Sequence, residues 1–123
     1  MALVLVVDDE FLLATMLADI LEDEGYEVET ASNGQLALAA VRQRKPDLVI
    51  TDFMMPTMTG LEFAEAVRAD EALSDLPIIL VSGAQGAIAR EHPQLFQAVF
   101  DKPYANRNII EEVERHVKPT PAG

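Results

Sequence analysis

Three uninterrupted apolar runs punctuate the chain: Leu3-Val4-Leu5-Val6-Val7, Leu48-Val49-Ile50 and Ile78-Ile79-Leu80-Val81. Their β-branched content and lack of alternation suit strands covered on both faces, and hence a parallel sheet. Glu27-Val28-Glu29-Thr30 alternates polar with apolar, as an edge strand does, and Ala98-Val99-Phe100 is a weaker fifth strand. Between the strands the period changes. Leu13, Leu17, Ile20 and Leu21 form one apolar helical stripe, which Gly25 can stop. Leu36 to Arg44 carries Leu38 and Val41 and is closed by Pro46, while Leu61 to Ala72 carries Phe63, Ala64 and Val67. Ile109 to Val117 carries Ile110 and Val113, with Asn106 or Asn108 as its cap. Gly86 to Gln97 reads poorly as a helix because Pro93 interrupts it, so a short or irregular fourth helix is expected.

Five strands alternating with helices predict an α/β doubly wound domain with a five-stranded parallel sheet and helices on both faces. Crossovers in such a sheet are right-handed, and ligands bind beyond the carboxyl ends of the strands. The residues that follow each strand therefore matter most. These are Asp8, Asp9 and Glu10 after the first, Thr51 and Asp52 and then Phe53-Met54-Met55-Pro56 after the third, Ser82-Gly83-Ala84 after the fourth, and Asp101-Lys102-Pro103 after the fifth. Asp8, Asp9, Asp52, Ser82 and Lys102 are expected to share one pocket.

A length of 123 residues makes this one domain, and the absence of cysteine removes disulfide, zinc–cysteine, iron–sulfur and thiol-nucleophile chemistry. It also suits a reducing cytoplasm. The 21 acidic against 9 basic residues give a net charge of −12, which argues against direct nucleic-acid binding. The apolar start, Ala2 to Val7, lacks a basic flank and is too short for a signal-peptide core or a membrane span. Most of the excess charge belongs to a solvated surface. Three converging aspartates are different, because they stay ionised only beside a cation. Hard oxygen donors with few protein contacts favour Mg²⁺. Lys102 adds a point positive charge and Ser82 a small hydroxyl, which together make a phosphoryl-transfer site in which an aspartate can itself accept the phosphoryl group.

The segments Val6-Val7-Asp8-Asp9-Glu10, Asp52 to Pro56 with Gly60, Val81-Ser82-Gly83-Ala84 and Phe100-Asp101-Lys102-Pro103 occur in this order at successive strand ends. The set resembles a bacterial two-component response-regulator receiver domain and covers residues 2–117, leaving 118–123 as a flexible tail. The resemblance implies a flavodoxin-like strand order 2-1-3-4-5, with Asp52 as phosphoacceptor. It implies Mg²⁺ held by Asp9, Asp52 and the Met54 backbone carbonyl, with Asp8 acting through a water. Lys102 would contact the phosphoryl group and pair with free Asp52, Ser82 would turn toward the phosphoryl oxygens, Lys102-Pro103 would be cis, and Gly60 would permit the turn into the third helix. Slow loss of the phosphoryl group to water would pass Met54 and Ala84. The implied partners are a histidine kinase or histidine phosphotransfer protein as donor and a downstream protein target. Direct contact with nucleic acid or membrane is not expected, and a cytoplasmic monomer or phosphorylation-dependent dimer is. With no output domain after Val117, the expectation is a stand-alone receiver rather than an enzyme.

The family usually places an aromatic switch residue three positions before the lysine; here that position is Val99, Phe100 should face the other side of its strand, and Tyr104 falls too late. Ser82 and Lys102 are 20 positions apart, slightly short for the family, which again points to an altered fourth helix. Two other functions remain open at this point. One is a docking module with a silent acidic pocket. The other is a haloacid-dehalogenase-like phosphatase, which wants its nucleophile in an Asp-x-Asp pattern that Asp8-Asp9-Glu10 lacks. A nucleotide-binding domain is disfavoured, since no glycine-rich loop follows the first strand. Glu10 reads as a helix-start carboxylate, His92 and His116 as surface residues, and Met54, Met55 and Met58 as packing and loop residues. Phe11 and Leu12 are either an extension of the core or an exposed docking patch.

Overall fold

The computed structural model describes residues 2–55, 58–83 and 86–117. Strands β1 (Leu3–Val7), β2 (Glu27–Ala31), β3 (Leu48–Asp52), β4 (Ile78–Ser82) and β5 (Ala98–Asp101) alternate with helices α1 (Phe11–Asp23), α2 (Gly34–Gln43), α3 (Gly60–Ala69), α4 (Gly86–Arg90) and α5 (Asn106–His116). The sheet has the order β2-β1-β3-β4-β5, and every pairing is parallel. This is the expected doubly wound architecture, with β2 at one edge.

The apolar strands work because both faces are covered. On one face Leu5, Val7, Val49, Ile78 and Leu80 pack with Phe63 and Val67 of α3 and Val41 of α2. On the other, Val4, Val6, Ile50, Ile79 and Val81 pack with Leu17 and Leu21 of α1 and Ile109 and Val113 of α5. The period of two along a strand divides its residues between the two layers. Val99 joins the first layer and Phe100 the second, as alternation requires.

Several boundaries differ from those read in the sequence. Thr51, Asp52, Ser82 and Asp101 complete their strands rather than follow them, since Thr51 is in register with Leu80, Asp52 with Val81 and Ser82 with Asp101. Backbone pairing runs on past the point where the side chains turn polar. In α1 the buried positions are Ala14, Leu17, Ala18 and Leu21, whereas Leu13 is exposed and Ile20 only partly buried. Leu17 and Leu21 are buried as expected, and the small alanines pack inward in place of Leu13 and Ile20. Gly25, at φ 98, does end α1. Helix α2 starts two residues earlier than expected because Asn33 caps it, its side chain accepting the Leu36 N–H at 2.8 Å.

Helix α3 stops at Ala69 rather than Ala72. The Asp70 N–H bonds the Val67 carbonyl, and the Asp70 side chain accepts the Ala72 N–H at 3.0 Å, offering the backbone a turn in place of the helix. The Arg68 guanidinium then gathers three carbonyls, those of Ser74 (3.1 Å), Leu76 (2.6 Å) and Leu95 (2.8 Å), and holds two loops together. Neither Asn106 nor Asn108 caps α5. Both lie within the helix, and Ala105 occupies the cap position with no side-chain bond. Helix α4 has only five residues, and Pro93 lies beyond its end. The proposed tail, 118–123, lies outside the described residues. Among the described residues no helix is long and apolar enough to cross a membrane.

Candidate functional site

Ladder bonds continue past the strands and fix the backbone of the site. The Asp8 N–H donates to the Ala31 carbonyl at 3.1 Å, the Phe53 N–H to Val81 at 3.1 Å, and the Lys102 N–H to Ser82 at 2.7 Å. Asp8, Asp52 and Lys102 are thereby delivered to one edge of the sheet from β1, β3 and β5. Carboxylate oxygens of Asp8, Asp9 and Asp52 lie within 4.8 Å of one another. Asp52 Oδ1 accepts the Phe53 N–H at 2.8 Å, and Oδ2 faces Lys102 Nζ at 3.1 Å. Lys102 Nζ is also 3.9 Å from Asp8 Oδ2, while Asp8 Oδ1 accepts the Glu10 N–H at 2.9 Å. Ser82 is fully buried at the end of β4. Asp8, Asp9, Asp52 and Lys102 are therefore brought together, Asp9 being the exposed member of the acidic group, and Ser82 ends the neighbouring strand with its carbonyl bonded to the Lys102 N–H.

Asp8 and Asp52 face one ammonium, with Asp9 beside them. Burial pushes the Asp8 carboxyl above its ordinary value; the Glu10 N–H opposes this, and the charge of Asp52 adds to it. Burial pulls the Lys102 ammonium down, but the bond to Asp52 and the charges of Asp52 and Asp8 outweigh it, so the group ends above its ordinary value. One ammonium does not neutralise this much desolvated negative charge. A cluster of oxygen donors with excess charge fits a hard divalent cation.

The loop after β3 is set by Gly60 and Thr59. The Gly60 N–H donates to the Phe53 carbonyl at 2.8 Å, and a Cβ at Gly60 would run into the Asp52 carbonyl oxygen and lie 3.1 Å from Phe53 Cα. Only glycine lets α3 approach the backbone of Asp52 so closely. Thr59 and Glu62 form a reciprocal capping box at the start of α3, with bonds of 3.1 and 3.0 Å. Lys102-Pro103 is cis, as the resemblance implied.

Met54 projects its side chain to solvent, Met55 is buried with its sulfur 3.8 Å from Thr51 Oγ1, and Met58 packs against the core. Glu10 takes the N-cap position of α1, but its side chain caps nothing and is not part of the acidic group. His116 pairs with Glu112 at 2.9 Å, and His92 is half-buried in the turn after α4. Phe11 is 77% and Leu12 73% exposed, so they are surface residues and not an extension of the core. A feature missed in the sequence lies beside them. Leu13, Met16 and Ile20 line an apolar groove of about 440 Å³ with Pro103 and Tyr104, and Asp8 and Lys102 are part of its lining. The signal was the pair of alanines, Ala14 and Ala18, which take the core positions and leave the larger side chains for the groove.

The strand order and the carboxylate–lysine centre at the strand ends define a doubly wound α/β domain that manages anionic chemistry at its crevice. Residues 4–114 match the family described as the response regulator receiver domain. The chain belongs to that family. It is 35% identical over 123 residues to the phosphate regulon transcriptional regulatory protein PhoB of Pseudomonas aeruginosa, covering 98% of this chain and 53% of that protein. With the DNA-binding response regulator MtrA of Mycobacterium tuberculosis H37Rv it shares 42% over 79 residues, 64% of this chain and 33% of that one. The chain thus spans about half or less of these curated relatives. Among solved structures, chemotaxis protein CheY4 of Vibrio cholerae superposes with a TM-score of 0.87 at 33% identity, covering 95% of this chain and 99% of that one. Response regulator TrrA of Thermotoga maritima, solved with Mg²⁺-BeF, gives 0.85 at 32% identity over 95% of this chain and 100% of that one. The chain is a signalling module of two-component systems, and the acidic pocket is consistent with a phosphoacceptor site. That family assignment sets aside the haloacid-dehalogenase-like reading.

Proposed function

We propose that Asp52 accepts a phosphoryl group from a phosphohistidine of a kinase or phosphotransfer protein and that the protein signals through the resulting change of shape. The observation that carries this reading is the placement of Asp52 between two other carboxylates and the Lys102 ammonium, 3.1 Å from its Oδ2. Oδ1 is held by a backbone N–H, so Oδ2, whose partner is a flexible side chain, is the attacking oxygen. It forms the new P–O bond as the P–N bond of the donor breaks. The electron pair of that bond stays on the departing imidazole nitrogen. Lys102 transfers its contact to the phosphoryl oxygens, and the Ser82 hydroxyl turns toward them.

Asp9, Asp52 and the Met54 carbonyl would hold Mg²⁺, with Asp8 acting through a water; the bound ion supplies charge neutralisation for the transferring group. The Mg²⁺-BeF complex of TrrA supports this choice of ion. Exposed Phe11, Leu12 and Met16, next to the groove, offer the donor an apolar helix face. Hydrolysis returns the carboxylate when a water attacks phosphorus beside Met54; Ala84, the other residue expected there, lies outside the described residues. The reading places the protein in the cytoplasm, with a protein target and no direct nucleic-acid contact.

Incubation with acetyl phosphate and Mg²⁺ should add one phosphoryl mass to the intact chain. No mass gain, under conditions that label another receiver, would refute the phosphoacceptor role and leave the silent docking module.

Burying Asp8 and Asp52 beside the exposed Asp9 costs stability, and an ion relieves the cost. For Asp8 the cost is absent at acid pH, where the group is protonated in both states; it grows as pH rises above the ordinary carboxyl value and is complete above the raised one. Asp8→Asn keeps an acceptor for the Glu10 N–H and removes the charge. It should raise metal-free stability at pH 7 by about 1 kcal/mol, the scale of single stabilising substitutions. It should also shrink the rise in Tm that Mg²⁺ gives the native chain. Thermal unfolding with and without Mg²⁺ checks both; a metal-free Tm that falls in the variant would count against the charge-repulsion account.

A further inference from the structure

Helix α4 is weakly attached. It has five residues, of which only Gly86 and Ala89 are buried, and Ile88 points outward at 45% exposure. Ala89 seats in the core layer, and beyond it the ties to the sheet are polar. Arg90 at its end donates to both carboxylate oxygens of Asp101, at 3.3 and 3.0 Å, and to the Val99 carbonyl at 3.3 Å. β5 is an edge strand, so the Val99 carbonyl and the Asp101 side chain lie where a further strand would otherwise pair. Gly86 makes the contact possible. A Cβ there would occupy the place of Asp101 Oδ1 and lie 2.8 Å from Arg90 Nη1.

The position of this contact is what gives it consequence. Asp101 is the last residue of β5, in register with Ser82 and adjacent to Lys102, whose N–H bonds the Ser82 carbonyl at 2.7 Å. The hydroxyl and the ammonium assigned to the phosphoryl group thus flank Asp101 on both sides. Val99 packs its short β-branched side chain into the core layer and has no ring to swing between the core and the surface.

We infer that the Arg90–Asp101 contact is a latch that holds α4 against β5 in the unphosphorylated arrangement and opens when Ser82 and Lys102 engage the phosphoryl group. The inference rests on the phosphoacceptor reading of Asp52. In the free protein Lys102 lies on Asp52, and with β5 in that position both Asp101 oxygens meet Arg90. Drawing Lys102 and Ser82 toward a phosphoryl group moves the end of β5 and with it the Asp101 carboxylate. A contact made in one arrangement and lost in the other favours the first by its own free energy. The pair is about half exposed, at 49% and 57%, so its contribution is modest. The few apolar contacts of α4 leave it a large share of the hold on that helix.

The test is the affinity for beryllofluoride at fixed Mg²⁺, read by NMR titration, in the native chain and three variants. Arg90→Met and Asp101→Asn remove one side of the latch, and Gly86→Ala displaces Asp101 while keeping both charges. Each should bind beryllofluoride about two- to five-fold more tightly, the range set by an exposed ion pair. The exchanged pair, Arg90→Asp with Asp101→Arg, should return part of the way to the native affinity. A latch that merely braced the fold would lower Tm and leave the affinity unchanged, and unchanged affinity in the three variants overturns the inference. A native chain that binds no beryllofluoride overturns the phosphoacceptor reading and this inference with it, so the two failures are distinct.

Discussion

Asp52→Asn leaves the domain folded and abolishes phosphoryl uptake. The amide oxygen can still accept the Phe53 N–H that now bonds Oδ1 at 2.8 Å, so the backbone at the end of β3 keeps its anchor. Lys102 loses its partner at 3.1 Å but retains Asp8 at 3.9 Å, and it is partly solvated. What disappears is the anionic oxygen. A neutral amide is too weak a nucleophile to replace it, and removing a nucleophile outright typically costs at least about 10³-fold in rate. Intact-mass measurement after acetyl phosphate and Mg²⁺ should show no labelled species. Asp9→Asn should behave differently, because the nucleophile remains while a candidate ion ligand weakens. Labelling should be slower at low Mg²⁺ and recover as Mg²⁺ is raised. Equal labelling of Asp52→Asn and the native chain would move the acceptor to another side chain and undo the roles given to Lys102 and Ser82.

How far such a site is legible in sequence depends on which forces place it. Runs such as Ile78-Ile79-Leu80-Val81 identify strands because both faces of a parallel strand are buried, so composition alone carries the signal. The acidic and basic residues beyond those runs then converge by topology, without any knowledge of side-chain contacts. The ends of the strands were harder. Asp52 and Ser82 pair like any strand residue, although their side chains are polar. Contacts between distant segments were not legible at all. Arg68 looks like a surface arginine on α3, yet it binds carbonyls near residues 74–76 and 95. The apolar groove beside the site depends on Ala14 and Ala18 packing inward, a choice of helix rotation that a stripe of leucines conceals. The departure at Val99 was visible as a missing aromatic ring, but only the structure shows a polar contact at the same edge of the sheet.

Gly60→Ala carries a comparably large effect by a different route. The added methyl group would collide with the Asp52 carbonyl oxygen and lie 3.1 Å from Phe53 Cα and 3.0 Å from Leu80 Cδ1. Two of these neighbours are backbone atoms of the loop that presents the acceptor, and neither can rotate away. Alanine improves helix propensity at the start of α3 by up to about 1 kcal/mol, but overpacking against a fixed wall costs about 1–3 kcal/mol. Relief requires α3 to withdraw from the end of β3. That stretches the Gly60 N–H bond to the Phe53 carbonyl, 2.8 Å in the native chain, and shifts Asp52 relative to Asp8, Asp9 and Lys102. A displacement of about 1 Å in a reacting group can cost about 10²-fold. The variant should therefore unfold at lower temperature and, well below its Tm, take up phosphoryl groups about 10²-fold more slowly. Because the nucleophile itself is displaced, added Mg²⁺ should restore only part of the rate, in contrast to Asp9→Asn. A Gly60→Ala protein that loses stability but labels at the native rate would mean that α3 yields without moving Asp52, and that the glycine serves packing rather than the position of the acceptor.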